Sequence, residues 1–154
     1  MVHDPKTAAN ELIQRGIGEG QPLTHIEVQK LLYFWHGWML GIHDQPLHTG
    51  FWEAWRYGPV LPEVYFSLNH HRGRPITGPI PARDEMFTED EKSIMDVVYD
   101  YRLLGTFTLV GITHTRGGPW DQVWHGRKNS SVIGDELIRS YFAGLLSGNS
   151  TSDG

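Results

Sequence analysis

Nine histidines and no cysteine make metal chemistry the first question this 154-residue chain poses. A hydrolytic metal site needs two or more imidazoles converging with a carboxylate on one ion. His114, Asp121 and His125 are the set that chain spacing allows to converge, so a metal-dependent hydrolase built on them is the alternative reading. No His-Glu-x-x-His pattern supports it. His70 and His71 are neighbours in a Gly/Pro-rich stretch, and neither helical nor strand spacing brings both rings to one ion. His114, just before a turn, reads better as a backbone-bonded histidine. The sequence therefore predicts no metal site and no cofactor.

Other catalytic patterns are equally thin. Ser67, Ser93, Ser130 and Ser131 lack the Gly-x-Ser-x-Gly surroundings of a nucleophile elbow. The clustered carboxylates Glu89 to Glu91 suit a helix N-terminus, where the backbone dipole favours negative charge. Gly16-x-Gly18-x-Gly20 follows a helix and lacks a Gly-Lys-Ser/Thr ending, so it reads as a linker and not a phosphate loop. The expectation is a protein that binds and does not catalyse.

Residues suited to binding are easier to find. Trp55-Arg56-Tyr57 precede Gly58-Pro59, which reads as a turn, and Trp, Tyr and Arg dominate protein–protein hot spots. Lys30 sits in the nearly all-apolar run Gln29 to Met39, where a cation must extend outward or pair with a carboxylate such as Glu53 or Glu63. Tyr65, His114 and Trp120 are secondary candidates for the same surface.

The elements that must position these residues are mostly helical. Asp4 with Pro5 marks a helix start, and Ala9, Leu12 and Ile13 give it one apolar stripe before Gly16, Gly18 and Gly20 end it. Thr24 with Glu27 forms a capping-box pattern, followed by Val28, Leu31, Leu32, Trp35, Met39 and Ile42 at helical spacing. Tyr33, Phe34 and Trp38 make this helix apolar all round, which predicts a central position with Gln29, Lys30 and His36 as its outward exceptions.

Phe51 to Tyr57 reads as extended, Pro62 to Leu68 as a short helix with Val64, Tyr65 and Leu68 inward, and Asn69 to Pro81 as loop. Thr88 with Glu91 repeats the capping box, with Ile94, Val97, Val98, Tyr101 and Leu104 as the expected buried face. Phe107 to Ile112 is predicted helical, capped by Thr106, and Trp120 to His125 forms one turn. A last helix over Asp135 to Leu146 turns Leu137, Ile138, Tyr141, Leu145 and Leu146 to one side. The fold class is mainly α: a compact bundle of about five to seven helices with a short extended or β insert around residues 51–60. Residues 1–20 form an N-terminal helix and linker, 21–146 the main domain, and 147–154 a flexible tail.

Composition narrows the class further. Apolar residues make up 39% and aromatics 12%, too much for a disordered chain. The formal charge of −5 and the absence of long basic runs argue against nucleic-acid binding; Arg72 to Arg74 and Arg127-Lys128 read as solvated loops. No apolar run approaches the roughly 20 residues of a membrane span. The first 15 residues lack a signal-peptide core, so a cytoplasmic location is expected. A homo-oligomer is compatible with this composition.

The ordered set Leu23-Thr24-His25, Gln29-Lys30-Leu31-Leu32-Tyr33-Phe34, Glu53-Ala54-Trp55-Arg56-Tyr57-Gly58-Pro59-Val60 with Pro62 and Tyr65, the capped helix at Thr88, Thr113-His114, Pro119-Trp120 and Tyr141-Phe142 resembles the Panacea domain family. That family includes SocA-like antitoxins and phage-associated GepA-like proteins. The likeness spans roughly residues 20 to 143; the Gly/Pro-rich segment Asn69 to Met86 departs from it. It implies a largely helical fold and an antitoxin role in a toxin–antitoxin system, by direct contact with a cognate toxin. For SocA-like members it also implies a proteolytic adaptor delivering the toxin to ClpXP. The expected toxin-binding residues are Lys30, Trp55, Arg56, Tyr57, Gly58, Pro59, Tyr65, His114 and Trp120.

Overall fold

The computed structural model describes residues 2–126 and 131–148. The Arg127-Lys128 pair, Ser130 and the tail from Asn149 onward therefore lie outside the described residues. Seven helices and one small sheet follow in the order α1 (Pro5–Gly18), α2 (His25–His43), β1 (Trp52–Trp55), β2 (Gly58–Val60), α3 (Pro62–Leu68), α4 (Glu89–Tyr99), α5 (Thr106–Thr113), α6 (Pro119–Val123), β3 (Ser131–Ile133) and α7 (Asp135–Leu146). The expected mainly α architecture with an extended insert is what the chain forms. No helix among the described residues is long and apolar enough to cross a membrane.

Helix starts follow their side-chain caps. Asp4 Oδ1 accepts from the Lys6 amide at 2.8 Å, with Pro5 at the first helical position. Both capping boxes close: the Thr24 amide donates to Glu27 Oε1 at 2.9 Å, and the Thr88 amide donates to Glu91 Oε1 at 2.8 Å. Between its box and the left-handed Asp44, α2 runs through the middle of the molecule and packs against α1, α3, α4, α5, α7 and β2.

The firmest of these contacts is with α7. Gly37 and Gly41 lie one turn apart and leave a groove on α2 that the Phe142 ring fills. Around that ring stand Trp38 at 4.9 Å, Tyr33 at 5.9 Å and Phe34 at 6.4 Å, all edge-on, the arrangement aromatic quadrupoles favour.

Several local expectations fail for identifiable reasons. Gln29, Lys30 and His36 do not face outward; all three are buried, because each finds partners inside. His36 Nδ1 accepts from the Leu47 amide at 3.2 Å while its Nε2 faces Asp135 Oδ1 at 2.9 Å. Ile42, expected in the stripe, is exposed. Helix α1 passes through Gly16, whose missing side chain admits Gln21 and Leu23. Gly105, not Thr106, occupies the cap position of α5.

On α4 the buried face is Glu91, Ile94, Met95, Val98 and Tyr99, and Val97 is exposed. The face rotates toward Glu91 because its carboxylate is buried against His3 Nε2 at 3.0 Å and its carbonyl accepts from Trp35 Nε1. The chain then tightens into a 3₁₀ turn over Asp100–Leu104, which ends the helical period and leaves Leu104 exposed. On α7, Ile138 and Phe142 are inward while Leu145 and Leu146 are exposed. Within the expected 69–81 loop, Ile76 and Ile80 are buried.

The sheet order is β2-β1-β3, antiparallel throughout, with Glu53 opposite both Val60 and Val132. Strand β3 had no signal in the sequence. Trp55 pairs with Gly58, so the turn is Arg56-Tyr57 and not Gly58-Pro59, which belong to β2.

Two outcomes follow. Gly41→Ala places a β-carbon 2.7 Å from Phe142 Cβ and 3.0 Å from the Ala143 amide nitrogen, so it should lower stability by about 2 kcal/mol or more in urea denaturation. His48 is fully buried and stacked on His36 at 4.1 Å, and burial, then the neighbouring His36, holds its pKa well below 6.5. The unfolded imidazole takes up its proton first, so the thermal midpoint should fall as pH drops below 6.5. His48→Gln should flatten that slope.

Candidate partner-binding site

The first two turns of α2 present His25, Ile26, Gln29 and Lys30 toward the β1–β2 hairpin, which supplies Trp55, Arg56, Tyr57 and Val60. Tyr65 of α3 and Val110 of α5 complete a cavity of about 400 Å³. The size is that of a small-ligand or side-chain pocket.

Three hydrogen bonds fasten the hairpin to the helix. The Gln29 amide clamps the backbone of Leu61, accepting from its N–H at 3.0 Å and donating to its carbonyl at 3.3 Å. Lys30 Nζ donates to the Pro59 carbonyl at 3.2 Å. Gly58 makes this approach feasible: its φ is +122°, and a β-carbon there would stand 3.0 Å from both Lys30 Nζ and Thr113 Oγ1. The glycine is fixed by backbone angle and by crowding together.

Lys30 is 4% exposed, and neither Glu53 nor Glu63 pairs with it. Glu53 Oε1 accepts from Trp55 Nε1 at 2.9 Å instead. Among the described residues Lys30 makes no ion pair, and desolvation lowers its pKa from 10.5 to about 8. His25 beside it is lowered to about 4, first by burial and then by the Lys30 charge. His114 is shifted down by the same two causes. The pocket is thus an aromatic and aliphatic shell around one poorly solvated cation.

The expected residues separate into three groups. Lys30, Trp55, Arg56, Tyr57 and Tyr65 converge on the cavity. Gly58 and Pro59 are buried beneath it and shape it through the backbone. His114 and Trp120 meet edge-on at 4.0 Å behind the hairpin, where Trp120 Nε1 donates to the Trp55 carbonyl at 2.6 Å. Trp120 is buried, so it braces the hairpin from behind.

Tyr57 is 68% exposed, with the Arg56 guanidinium over its ring at 5.4 Å. The Trp55 and Tyr65 rings pack at a tilt with centroids 4.8 Å apart, and Tyr65 and His25 likewise at 5.2 Å. Exposed Ile26 and Phe66 extend this apolar rim. Sequence reasoning missed His25, Ile26, Gln29, Val60 and Val110. The available signal was the polar trio His25, Gln29, Lys30 at i, i+4 and i+5 of a helix otherwise built for the core.

The hydrolase set does not assemble. Asp121 Oδ2 accepts from the Gly117 amide at 2.8 Å, His114 packs on Trp120, and His125 is exposed. Among the described residues no group of three His, Asp or Glu side chains lies close enough to hold an ion.

The family model described as antitoxin SocA-like, Panacea domain, matches residues 28–121. Antitoxin SocA of Caulobacter vibrioides (strain NA1000 / CB15N) is 33% identical over 157 residues, covering 90% of this chain and 82% of that relative. No solved structure matches the chain.

Lys30→Met tests the electrostatic reading. A fall from 10.5 to about 8 corresponds to a folding cost of about 3 kcal/mol below pH 8, offset by roughly 1 kcal/mol for the lost Pro59 bond. The substitution should raise the thermal midpoint at pH 7 by roughly 5 °C. The gain should shrink as pH rises from 8 toward 10.5, where the unfolded lysine also loses its proton.

Proposed function

The chain belongs to the SocA-like, Panacea-domain antitoxin family, and from that premise we propose that it neutralises a cognate toxin by direct protein–protein contact through the hairpin and the Lys30 cavity. The observation that carries this reading is the display of Tyr57 and Arg56 at the tip of a braced hairpin, beside a preformed apolar cavity. Rigid rings beside a pocket are the usual source of concentrated binding energy, since little side-chain entropy is lost on contact. The acidic balance of the chain, −5 overall, favours encounter with a basic toxin.

In this reading Trp55 and Tyr65 form a wall that the toxin covers, and Gly58, Pro59, His114 and Trp120 hold that wall in place without contacting the toxin themselves. The protein acts in the cytoplasm, where such a toxin would be made, and works by contact instead of catalysis.

Delivery of the toxin to ClpXP is a second layer of the same proposal, supported by a second exposed apolar surface. Leu103, Leu104 and Phe107, the last 92% exposed, lie on the 3₁₀ turn and the start of α5. An adaptor needs one surface for its cargo and another for the protease. In that case Phe107→Ser would lengthen the toxin's half-life without weakening its capture.

Co-expression with the product of the adjacent open reading frame tests the main reading. That product should arrest growth alone and be harmless with this chain present. Tyr57→Ala lies at the surface and should change stability by no more than about 0.5 kcal/mol, yet weaken toxin affinity at least tenfold and abolish protection. Full protection by the variant, with the toxin still captured, would remove the hairpin from the interface.

A further inference from the structure

Among the described residues the buried ammonium of Lys30 has no anionic partner. It lines the cavity, is 4% exposed, and spends one of its three donors on the Pro59 carbonyl. A charge in such surroundings is costly unless something completes it. The other polar groups at the cavity floor offer no anion: Gln29 is committed to the Leu61 backbone, and His25 adds only an imidazole. Among the described lining residues there is one buried ammonium, no carboxylate and a set of aromatic walls, which is complementary to an anion attached to an apolar group.

From the charge complementarity and the shape we infer that this cavity is a receptor for the carboxyl terminus of a polypeptide that ends in a large apolar residue. The terminal carboxylate would meet Lys30, and the last side chain would lie between Trp55, Tyr65 and Val110. A chain end suits the site better than an internal acidic side chain for two reasons. An aspartate or glutamate side chain alone would fill only a small part of about 400 Å³ and leave the aromatic walls uncovered. An internal segment would also bring amide groups past walls that offer them few partners, whereas a chain end brings its charge and its apolar group together. This inference rests on the antitoxin reading for the identity of the polypeptide, which would be the toxin; the ligand chemistry itself does not.

The test uses the intact protein and short probes. N-acetyl-Leu-Phe with a free carboxylate, the same peptide as its C-terminal amide, N-acetyl-Glu amide and sodium acetate are titrated while the Gly58 amide and Trp55 indole resonances are followed by ¹⁵N–¹H NMR. The free acid should shift both resonances and bind at least tenfold more tightly than each of the other three probes. Lys30→Met should bind the acid and the amide equally. The assignment is overturned if the amide matches the acid, if the glutamate side chain or acetate binds as well, or if neither resonance moves. Peptide failure alongside loss of protection by Tyr57→Ala would sink this assignment alone. Peptide binding alongside full protection by Tyr57→Ala would keep the ligand chemistry and remove the toxin-contact reading.

Discussion

The display of Trp55, Arg56 and Tyr57 depends on three hydrogen bonds between two adjacent residues of α2 and the backbone of β2 and the residue that follows it. Gln29 clamps the Leu61 backbone and Lys30 reaches the Pro59 carbonyl. Each such bond contributes only about 1 kcal/mol net, but the three act together on three consecutive residues, Pro59 to Leu61. The hairpin is therefore held in one register on α2, and its tip projects at a fixed angle. Trp120 adds the matching constraint from the other side through the Trp55 carbonyl. A loop of Arg-Tyr fixed at neither side would lose much of its binding energy in becoming ordered.

That same device explains where sequence reading succeeded and where it stopped. Capping by Asp4, Thr24 and Thr88 was legible because donor and acceptor lie within three residues of each other. The heavily apolar character of α2 was legible too, and so was its central place. The inward orientation of Gln29, Lys30 and His36 was not, since their partners Leu61, Pro59, Leu47 and Asp135 lie 11 to 99 positions away. A polar side chain on an apolar helix looks like an outward exception until its partner is known. Strand β3 escaped for a related reason: three residues pair with β1 across the intervening helices, leaving no local pattern. The hairpin tip was found from residue type alone, though the turn lies two residues earlier than Gly-Pro suggested.

Glycine in this protein works chiefly by absence. Gly37 and Gly41 bracket Phe142, and Gly58 admits the end of Lys30. In each case the neighbour occupies the place of a β-carbon, so the packing of α7 and the seating of the hairpin both hinge on positions with no side chain. Gly37, which as a sequence feature interrupts the apolar run, is where the tightest helix–helix contact forms.

Stability and binding pull in opposite directions at Lys30. A methionine there would fill the same tunnel without a desolvated charge, and the fold would be more stable for it. With the ammonium in place, one buried group has no counter-ion among the described residues, and on the proposed reading a partner's carboxylate supplies it. The surrounding residues divide accordingly. Gly58, Pro59 and Leu61 define the cavity through the backbone, and at Gly58 the positive φ and the nearby Lys30 and Thr113 leave no room for a side chain. Ile26, Tyr57 and Phe66 stand at the rim with exposed side chains, where substitution leaves the fold intact. A buried cation inside an exposed apolar rim thus separates two tasks: the rim can be altered without touching the core, and the proposed anion requirement rests on Lys30 alone.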